Sequence, residues 1–206
     1  MPGASWELHE TDVLVTIRTP VVRVVFRRAE DRWTHEIGPV DGPPLVASLE
    51  SPAEQPDPTP VLSPLYQEVQ HHAADDDERR VRLLLTGLLH RHHFSAVLTV
   101  VADSAGGSVE FDVADRCRDT VSSLAATYDL RLGLPGPDGS ANVATWDGAL
   151  GETGLSLEAK HQGALALLER GPRALQAQVL AKLEPGSFTH RLRYRWTWTT
   201  PTVRRR

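Results

Sequence analysis

Apolar and polar residues alternate along much of the chain, and this period of two constrains the fold more than any other feature. The clearest case is residues 191–199, whose apolar positions are Leu192, Tyr194, Trp196 and Trp198. Successive side chains of a β-strand point to opposite faces of its sheet, so this segment predicts a strand with one buried face. Its large aromatic side chains indicate a hydrophobic core. On a one-sided sheet, the same stripe would instead be a binding platform or the surface of a homodimer.

Two alternating segments near the N-terminus predict a β-hairpin. The first begins at Val22, the second ends at Ile37, and a polar turn separates them. Pairing Phe26 with Trp33 sets the apolar side chains of both segments on one face, whereas a slip of one residue would expose them all. We therefore expect this register.

Two further hairpins are predicted downstream. Residues 94–101 and 109–113 alternate in the same way around a Gly-Gly turn. Residues 174–184 are ambiguous, because every odd position is apolar but leucine or valine also recurs every four residues. The Pro-Gly turn that follows favours a strand, so we predict a long hairpin with 191–199. A helix over 163–184 would instead make the protein α+β.

Together these segments predict an all-β fold, an antiparallel β-sandwich of about ten short strands separated by turn clusters. The 206 residues are enough for a single sandwich domain with its own core. Residues 39–64 contain eight prolines, which cannot serve a sheet ladder, and they predict a long surface connection within that domain.

Composition excludes several classes of protein. The formal net charge of −5 argues against a protein built to bind nucleic acid. No apolar run approaches the roughly 18 to 20 residues of a membrane-spanning helix, so we expect a cytoplasmic protein. The single cysteine, Cys117, cannot close an intrachain disulfide. A catalytic role for it would need a base, which the sequence does not place, so we interpret Cys117 as a passive thiol.

Two clusters contain residue types that carry chemistry. On a strand, His90 and His92 would project from one face and share a metal ion, but a zinc site needs three or four protein ligands. We therefore expect no metal and no other cofactor. Glu110 and Asp112 share one face of a predicted strand at a spacing of about 6.5 to 7 Å, which suits a general acid and base. Carboxylates on an exposed strand face more commonly carry no such role.

Several segments resemble a family of uncharacterised bacterial proteins. They include Asp-Arg-Trp-Thr-His at 31–35, His-His-Phe-Ser at 92–95 and Phe-Asp-Val-Ala-Asp-Arg at 111–116. Members of that family commonly show Asp-Arg-Trp-x-His, Ser-His-Trp-Ser and Phe-Asp-x-Ala-Cys-Arg, so this chain departs at Phe94 and Asp115. The resemblance covers about residues 30 to 130 and implies no activity. It does imply that Trp33, His35, His93 and Phe94 belong to one feature, either core or pocket.

The chain has no nucleophile elbow, phosphate-binding loop or dinucleotide fingerprint. We therefore predict a non-catalytic binding module whose partner is a small molecule or a protein. An aromatic ring beside an imidazole on a concave sheet suits sugars and planar amides. The candidate ligand-binding residues are Trp33, His35, His92, His93 and Phe94. The alternative is a carbohydrate-active enzyme, such as an epimerase or lyase, that uses histidines and carboxylates on a concave sheet.

Overall fold

The structure, a computed structural model, describes residues 6–51, 63–72, 80–103, 106–118, 120–133, 140–171 and 174–199. These residues form fifteen β-strands and no helix, arranged in two antiparallel sheets that pack face to face. The predicted all-β antiparallel sandwich is confirmed, with more strands than the alternation alone marked out. No helix within the described ranges is long and apolar enough to cross a membrane.

The first sheet contains eight strands, numbered in chain order along the protein. Their spatial order is β1 (Glu7–Thr11), β2 (Leu14–Arg18), β3 (Val22–Ala29), β4 (Arg32–Pro39), β5 (Val46–Leu49), β10 (Ala125–Leu130), β14 (Ala174–Leu180) and β13 (Ala164–Gly171). Strands β1 to β5 follow the chain, and the remaining three join them after excursions into the other sheet. Strand β1 therefore lies at one edge of this sheet.

The second sheet contains seven strands. Their spatial order is β11 (Val143–Leu150), β12 (Thr153–Ala159), β15 (Thr189–Thr199), β9 (Gly106–Arg116), β8 (His92–Asp103), β7 (Arg80–Leu89) and β6 (Glu68–His71). Strand β15 lies between β9 and β12, so the strand with the aromatic stripe is central. Strand β6 lies at one edge.

The aromatic stripe of β15 is core, as its alternation indicated. Trp196 and Trp198 are buried, and the ring of Tyr194 stacks on Phe111 of β9 with centroids 4.8 Å apart. Each such side chain removes about 150 to 250 Å² from water. The alternative uses of this stripe, a binding platform or a dimer surface, are wrong because the first sheet covers it.

The predicted register of the first hairpin is wrong by two residues. Phe26 pairs with His35, and Arg28 with Trp33, because Glu30 adopts a positive φ of 57° in a tight turn that starts one residue later than expected. A slip of two residues keeps each side chain on its predicted face, since the side-chain period of a strand is two. The apolar side chains of both strands therefore still lie on one buried face.

The C-terminal prediction is half right. Residues 174–180 form a strand and not a helix, as predicted, and the second hairpin, β8 with β9, is also confirmed. However, β14 and β15 do not pair, because β14 lies in the first sheet and β15 in the second. The connection over 181–188 is long enough to cross the roughly 10 Å between two packed sheets, so the Pro-Gly turn does not close a hairpin.

The proline-rich segment is not entirely a surface connection. It contributes β5, which pairs with β4 and β10 in the interior of the first sheet. The prolines lie outside this strand and leave its backbone free to pair. Ser51 and Ser63 are both buried, and the Ser63 amide donates to the Ser51 hydroxyl at 2.8 Å. Residues 52–62 lie outside the described residues.

Two leucines of the β7–β8 hairpin offer a matched test of this core. Leu98 is completely buried, whereas Leu88 is 46% exposed. We expect Leu98→Ala to lower the free energy of unfolding by about 2 to 5 kcal/mol, because it leaves a cavity between the sheets. Leu88→Ala should change it by less than about 0.5 kcal/mol. Urea unfolding of both variants measures the difference, and equal effects would contradict the assignment of these faces.

Candidate functional site

The structure places the five predicted site residues in three separate locations. Trp33 and His35 lie on the inner face of β4, and His92 and Phe94 lie on the inner face of β8. His93 points to the exposed outer face of β8. The two inner pairs share the interior of the sandwich but do not form one pocket.

His35 lies at the centre of a buried polar cluster that joins the two sheets. Its Nε2 lies 3.0 Å from the hydroxyl of Tyr128 on β10, and that hydroxyl lies 2.7 Å from the hydroxyl of Tyr194 on β15. The imidazole also packs between aromatic rings, with its centroid 5.2 Å from that of Phe26 and 4.9 Å from that of Phe111. A chain of hydrogen bonds therefore crosses the hydrophobic core.

A carboxyl group completes this cluster from the end of β5. Glu50 accepts a hydrogen bond from the Ser48 hydroxyl, and that hydroxyl accepts one from the His35 backbone amide at 2.8 Å. The nearer Glu50 oxygen, Oε1, lies 3.9 Å from His35 Nδ1, and the Glu50 side chain is only 5% exposed. We call the set His35, Ser48, Glu50, Tyr66, Tyr128 and Tyr194 the His35 cluster; it contains all three tyrosines of the chain.

Burial shifts the protonation of the His35 cluster towards neutral groups. Desolvation raises the pKa of Glu50 to about 7, against smaller opposing effects of the Ser48 hydrogen bond and of Arg32. Desolvation also lowers the pKa of His35 to about 3. It raises the pKa of Tyr66 well above its ordinary value. At neutral pH the imidazole is uncharged, while the carboxyl group is close to half ionised.

The cavity beside these groups is very small. Its volume of about 10 Å³ suffices for about one water molecule. Two polar atoms of the cluster, His35 Nδ1 and the Tyr66 hydroxyl, are buried without a hydrogen-bond partner among the described residues. A water molecule there would satisfy such groups, but a sugar ring or a cofactor would not fit.

Sequence reasoning found His35 but missed its partners. Tyr128 and Tyr194 occupy apolar positions of alternating segments, which places them inside but does not bring them together. Glu50 carries no sequence signal of burial, because it follows a short strand in a proline-rich segment. The available clue was that Tyr194 falls at a predicted core position.

A large groove lies between the two sheets where they leave free edges. It has a volume of about 840 Å³ and runs between the β1–β2 turn and β6, with Trp33 in its lining. We call it the edge groove. Its lining includes three acidic residues, Glu10, Asp12 and Glu68, and one basic residue, Arg28. Its electrostatic character is therefore acidic.

The inner side of the edge groove is held in place by backbone contacts. The Trp33 amide donates to the Tyr66 carbonyl at 2.7 Å, and the Gln67 amide donates to the Thr86 carbonyl at 2.8 Å. The chain near Tyr66 passes so close to β7 that a Cβ on Gly87 would collide with the Leu65 carbonyl oxygen. Gln67 and β6, which border the groove, are thus fixed to the second sheet.

Glu110 and Asp112 do share the outer face of β9, but arginines of β15 pair with both. The guanidinium of Arg191 donates two hydrogen bonds of 2.7 Å to Asp112, and Arg193 and Arg195 bind Glu110. Partial burial raises the pKa of Glu110, but the hydrogen bonds from both arginines outweigh it and hold the pKa below its ordinary value. A carboxylate kept ionised in this way is a poor general acid.

The expected arrangement of two histidines on one strand face is wrong. His90 lies in the turn between β7 and β8 with a positive φ of 53°, whereas His92 begins β8. The tight turn contains His90 and Arg91, which the alternation had assigned to the strand. Among the described residues, no group of three or more histidine, cysteine or acidic side chains is arranged to hold a metal ion.

Comparisons with known proteins add no assignment. No family model matches the chain, and no curated protein matches it. The resemblance of residues 30 to 130 to a family of uncharacterised bacterial proteins therefore stays an expectation. Any functional conclusion has to come from the geometry of the edge groove and of the two histidine sites.

The shifted groups of the His35 cluster predict a specific dependence of stability on pH. The raised pKa of Glu50 gives a contribution that is fully present below about pH 4.5 and is lost as the pH rises through about 7. The lowered pKa of His35 acts in the opposite direction, with a contribution present above about pH 6.5 and lost as the pH falls through about 3. Between about pH 4.5 and 6.5, the changes in stability from Glu50 and from His35 have opposite signs and offset each other.

Glu50→Gln removes the Glu50 contribution, so a comparison of the variant with the wild type measures that contribution alone. We expect the free energy of unfolding of the wild type, minus that of the variant, to fall by up to about 3 kcal/mol between pH 4.5 and 7.5. Urea unfolding at a series of pH values measures this difference, and the background from other groups cancels in it. Glu184→Gln, which changes an exposed residue, should give a flat difference. A flat difference for Glu50→Gln as well would contradict the burial of a protonated carboxyl group.

Proposed function

We propose that this chain is a non-catalytic binding module whose ligand, an extended basic segment of another protein, lies in the edge groove. The observation that carries the proposal is the position of the groove. It is an acidic cleft between two sheet edges, and its volume of about 840 Å³ falls in the range typical of ligand sites. The proposal includes a cytoplasmic location and a protein as the binding partner.

The free edge of β6 supports an extended ligand. Within the described part of the chain, β6 pairs only with β7, and β1 pairs only with β2. An edge strand presents unpaired backbone amides and carbonyls, which an extended peptide can bind as an additional strand. Residues 67–70 line the groove, so three of the four residues of β6 border it.

The charges of the edge groove support a basic ligand. Glu10, Asp12 and Glu68 outnumber Arg28, so the groove attracts lysine or arginine side chains and repels acidic ones. Exposed charge pairs contribute little each, about 0.2 to 1 kcal/mol, but several of them add orientation and selectivity. The glutamines at 67 and 70 provide both donors and acceptors for hydrogen bonds.

The alternative, a carbohydrate-active enzyme, has less support. One observation favours it, since Glu50 has a pKa of about 7, which suits a general acid or base at neutral pH. Against it, the cavity that Glu50 and His35 face has room for about one water molecule. The paired carboxylates Glu110 and Asp112 are bound by arginines on the outer face. Hydrolysis or epimerisation of a panel of sugars that is lost in Glu50→Gln would favour the enzyme.

Binding of simple peptides tests the proposal directly. We expect an alternating Lys-Thr peptide to bind, as measured by calorimetry, and an alternating Glu-Thr peptide of equal length not to bind. Amide resonances of β6 should shift on titration, because the peptide pairs with that edge. Each of Glu10→Gln, Asp12→Asn and Glu68→Gln should weaken binding by about 1.5- to 5-fold, the range for exposed charge pairs.

Glu184→Gln is the matched control, since Glu184 is exposed on the β14–β15 connection and does not line the edge groove. It should leave the affinity unchanged. Added salt should weaken binding of the Lys-Thr peptide, because the charges involved are exposed. Equal binding of both peptides, or resonance shifts confined to residues away from β1, β2 and β6, would contradict the proposal.

A further inference from the structure

Three reactive side chains meet where β8 begins and β9 ends. Nδ1 of His92 lies 2.8 Å from an oxygen of Asp115, and Nε2 of the same ring lies 3.7 Å from the sulfur of Cys117. His92 and Cys117 lie opposite each other, one position beyond the last pair of the β8–β9 register, and Asp115 points to the same inner face. A base is therefore present at the thiol for which the sequence placed none.

The order of these contacts fixes the role of each atom. A carboxylate accepts hydrogen bonds, so the contact with Asp115 favours the tautomer of His92 that carries its proton on Nδ1. Nε2 then carries a lone pair that faces Cys117 and accepts its S–H. The ring of Phe94 stacks on His92 with an angle of 11° between the planes, which supports this orientation. Nucleophile, base and orienting carboxylate have the relationship of a catalytic triad.

This geometry does not suit a shared metal ion. The imidazole of His92 lies between the carboxylate and the thiol and presents a different nitrogen to each. One ion cannot bind both nitrogens of the same ring, so Asp115 and Cys117 cannot join His92 around a single metal. The arrangement instead favours proton transfer from the thiol.

The surroundings of Cys117 restrict the reagent that it can meet. Cys117 is 1% exposed, and the His92 side chain is 12% exposed, so the site excludes bulky reagents. Two buried polar atoms next to the site, Asp115 Oδ1 and His190 Nδ1, have no hydrogen-bond partner among the described residues. Asp115 and His190 are directly paired between β9 and β15. A small ligand that both donates and accepts hydrogen bonds would match them.

We infer that Cys117 is a nucleophilic thiol that reacts with hydroperoxides, with hydrogen peroxide as the smallest. His92 Nε2 takes the thiol proton, and the sulfur attacks one peroxide oxygen. The S–O bond forms as the O–O bond breaks, and the leaving hydroxide takes the proton back from His92 as water. Sulfur is oxidised by two electrons to the sulfenic acid, and the peroxide is reduced. Because Cys117 is the only cysteine, a disulfide would need a thiol of another molecule.

The rate of oxidation in the folded and the unfolded protein separates this inference from a passive thiol. A buried, passive thiol reacts more slowly when folded, because the fold excludes the reagent. We expect the opposite: at neutral pH the folded protein should form the sulfenic acid at least about tenfold faster than the same protein in urea, given the usual size of general-base effects. Trapping with dimedone and intact-mass measurement identify the product, and Cys117→Ser should give none.

Variants of His92, His93 and Asp115 test whether the triad causes the faster oxidation of the folded protein. His92→Gln should reduce the ratio of folded to unfolded rates to one or below, whereas His93→Gln, on the outer face of β8, should retain the wild-type ratio. Asp115→Asn should lower the ratio as well, because it removes the acceptor that fixes the imidazole. A wild-type protein that reacts no faster folded than unfolded would overturn the inference. A His92→Gln protein that folds and keeps the wild-type ratio would overturn it equally. Both outcomes are independent of peptide binding in the edge groove.

Discussion

The two sheets remove their inner faces from water, and every polar side chain on those faces needs a partner within the protein. His35 illustrates the consequence. Its ring lies between Phe26 and Phe111, where a charge would be very costly, and its Nε2 is satisfied by the Tyr128 hydroxyl. The same loss of water raises the pKa of Glu50. Burial thus disfavours the charged form of both groups, and hydrogen bonds link the polar side chains across this core.

His35 and His92, both on inner faces, differ because their positions in the sheets differ. His35 lies in mid-strand, is surrounded by aromatic rings and faces hydroxyl groups. His92 lies at the very start of its strand, keeps some exposure, and contacts a buried carboxylate and a thiol. The first environment suppresses the protonated imidazole. Our inference about Cys117 rests on the second environment.

The outer face of the second sheet follows the opposite rule, because water is available there. Alternate arginines of β15 meet alternate carboxylates of β9 across the sheet, as between Arg191 and Asp112. Such cross-strand pairs favour one register, although each exposed pair contributes little to stability. They also account for the carboxylates that would otherwise suggest hydrolytic chemistry. The carboxylates Glu110 and Asp112 on this surface are thus held in ion pairs.

The alternation of side chains predicted many of the strands and the buried face of each, because these properties depend on residues two positions apart. Short strands such as β5 and β6 gave no such signal. The alternation placed Trp196 in the core and His35 on an inner face correctly. It could not determine that β14 and β15 separate into different sheets, nor that Glu50 is buried and that Asp115 and Cys117 flank His92. Those contacts join residues far apart in the chain, and the packing of the whole sandwich decides them. The alternation of residues along a strand determines which face a side chain lies on, whereas the packing of the two sheets determines which residues it contacts.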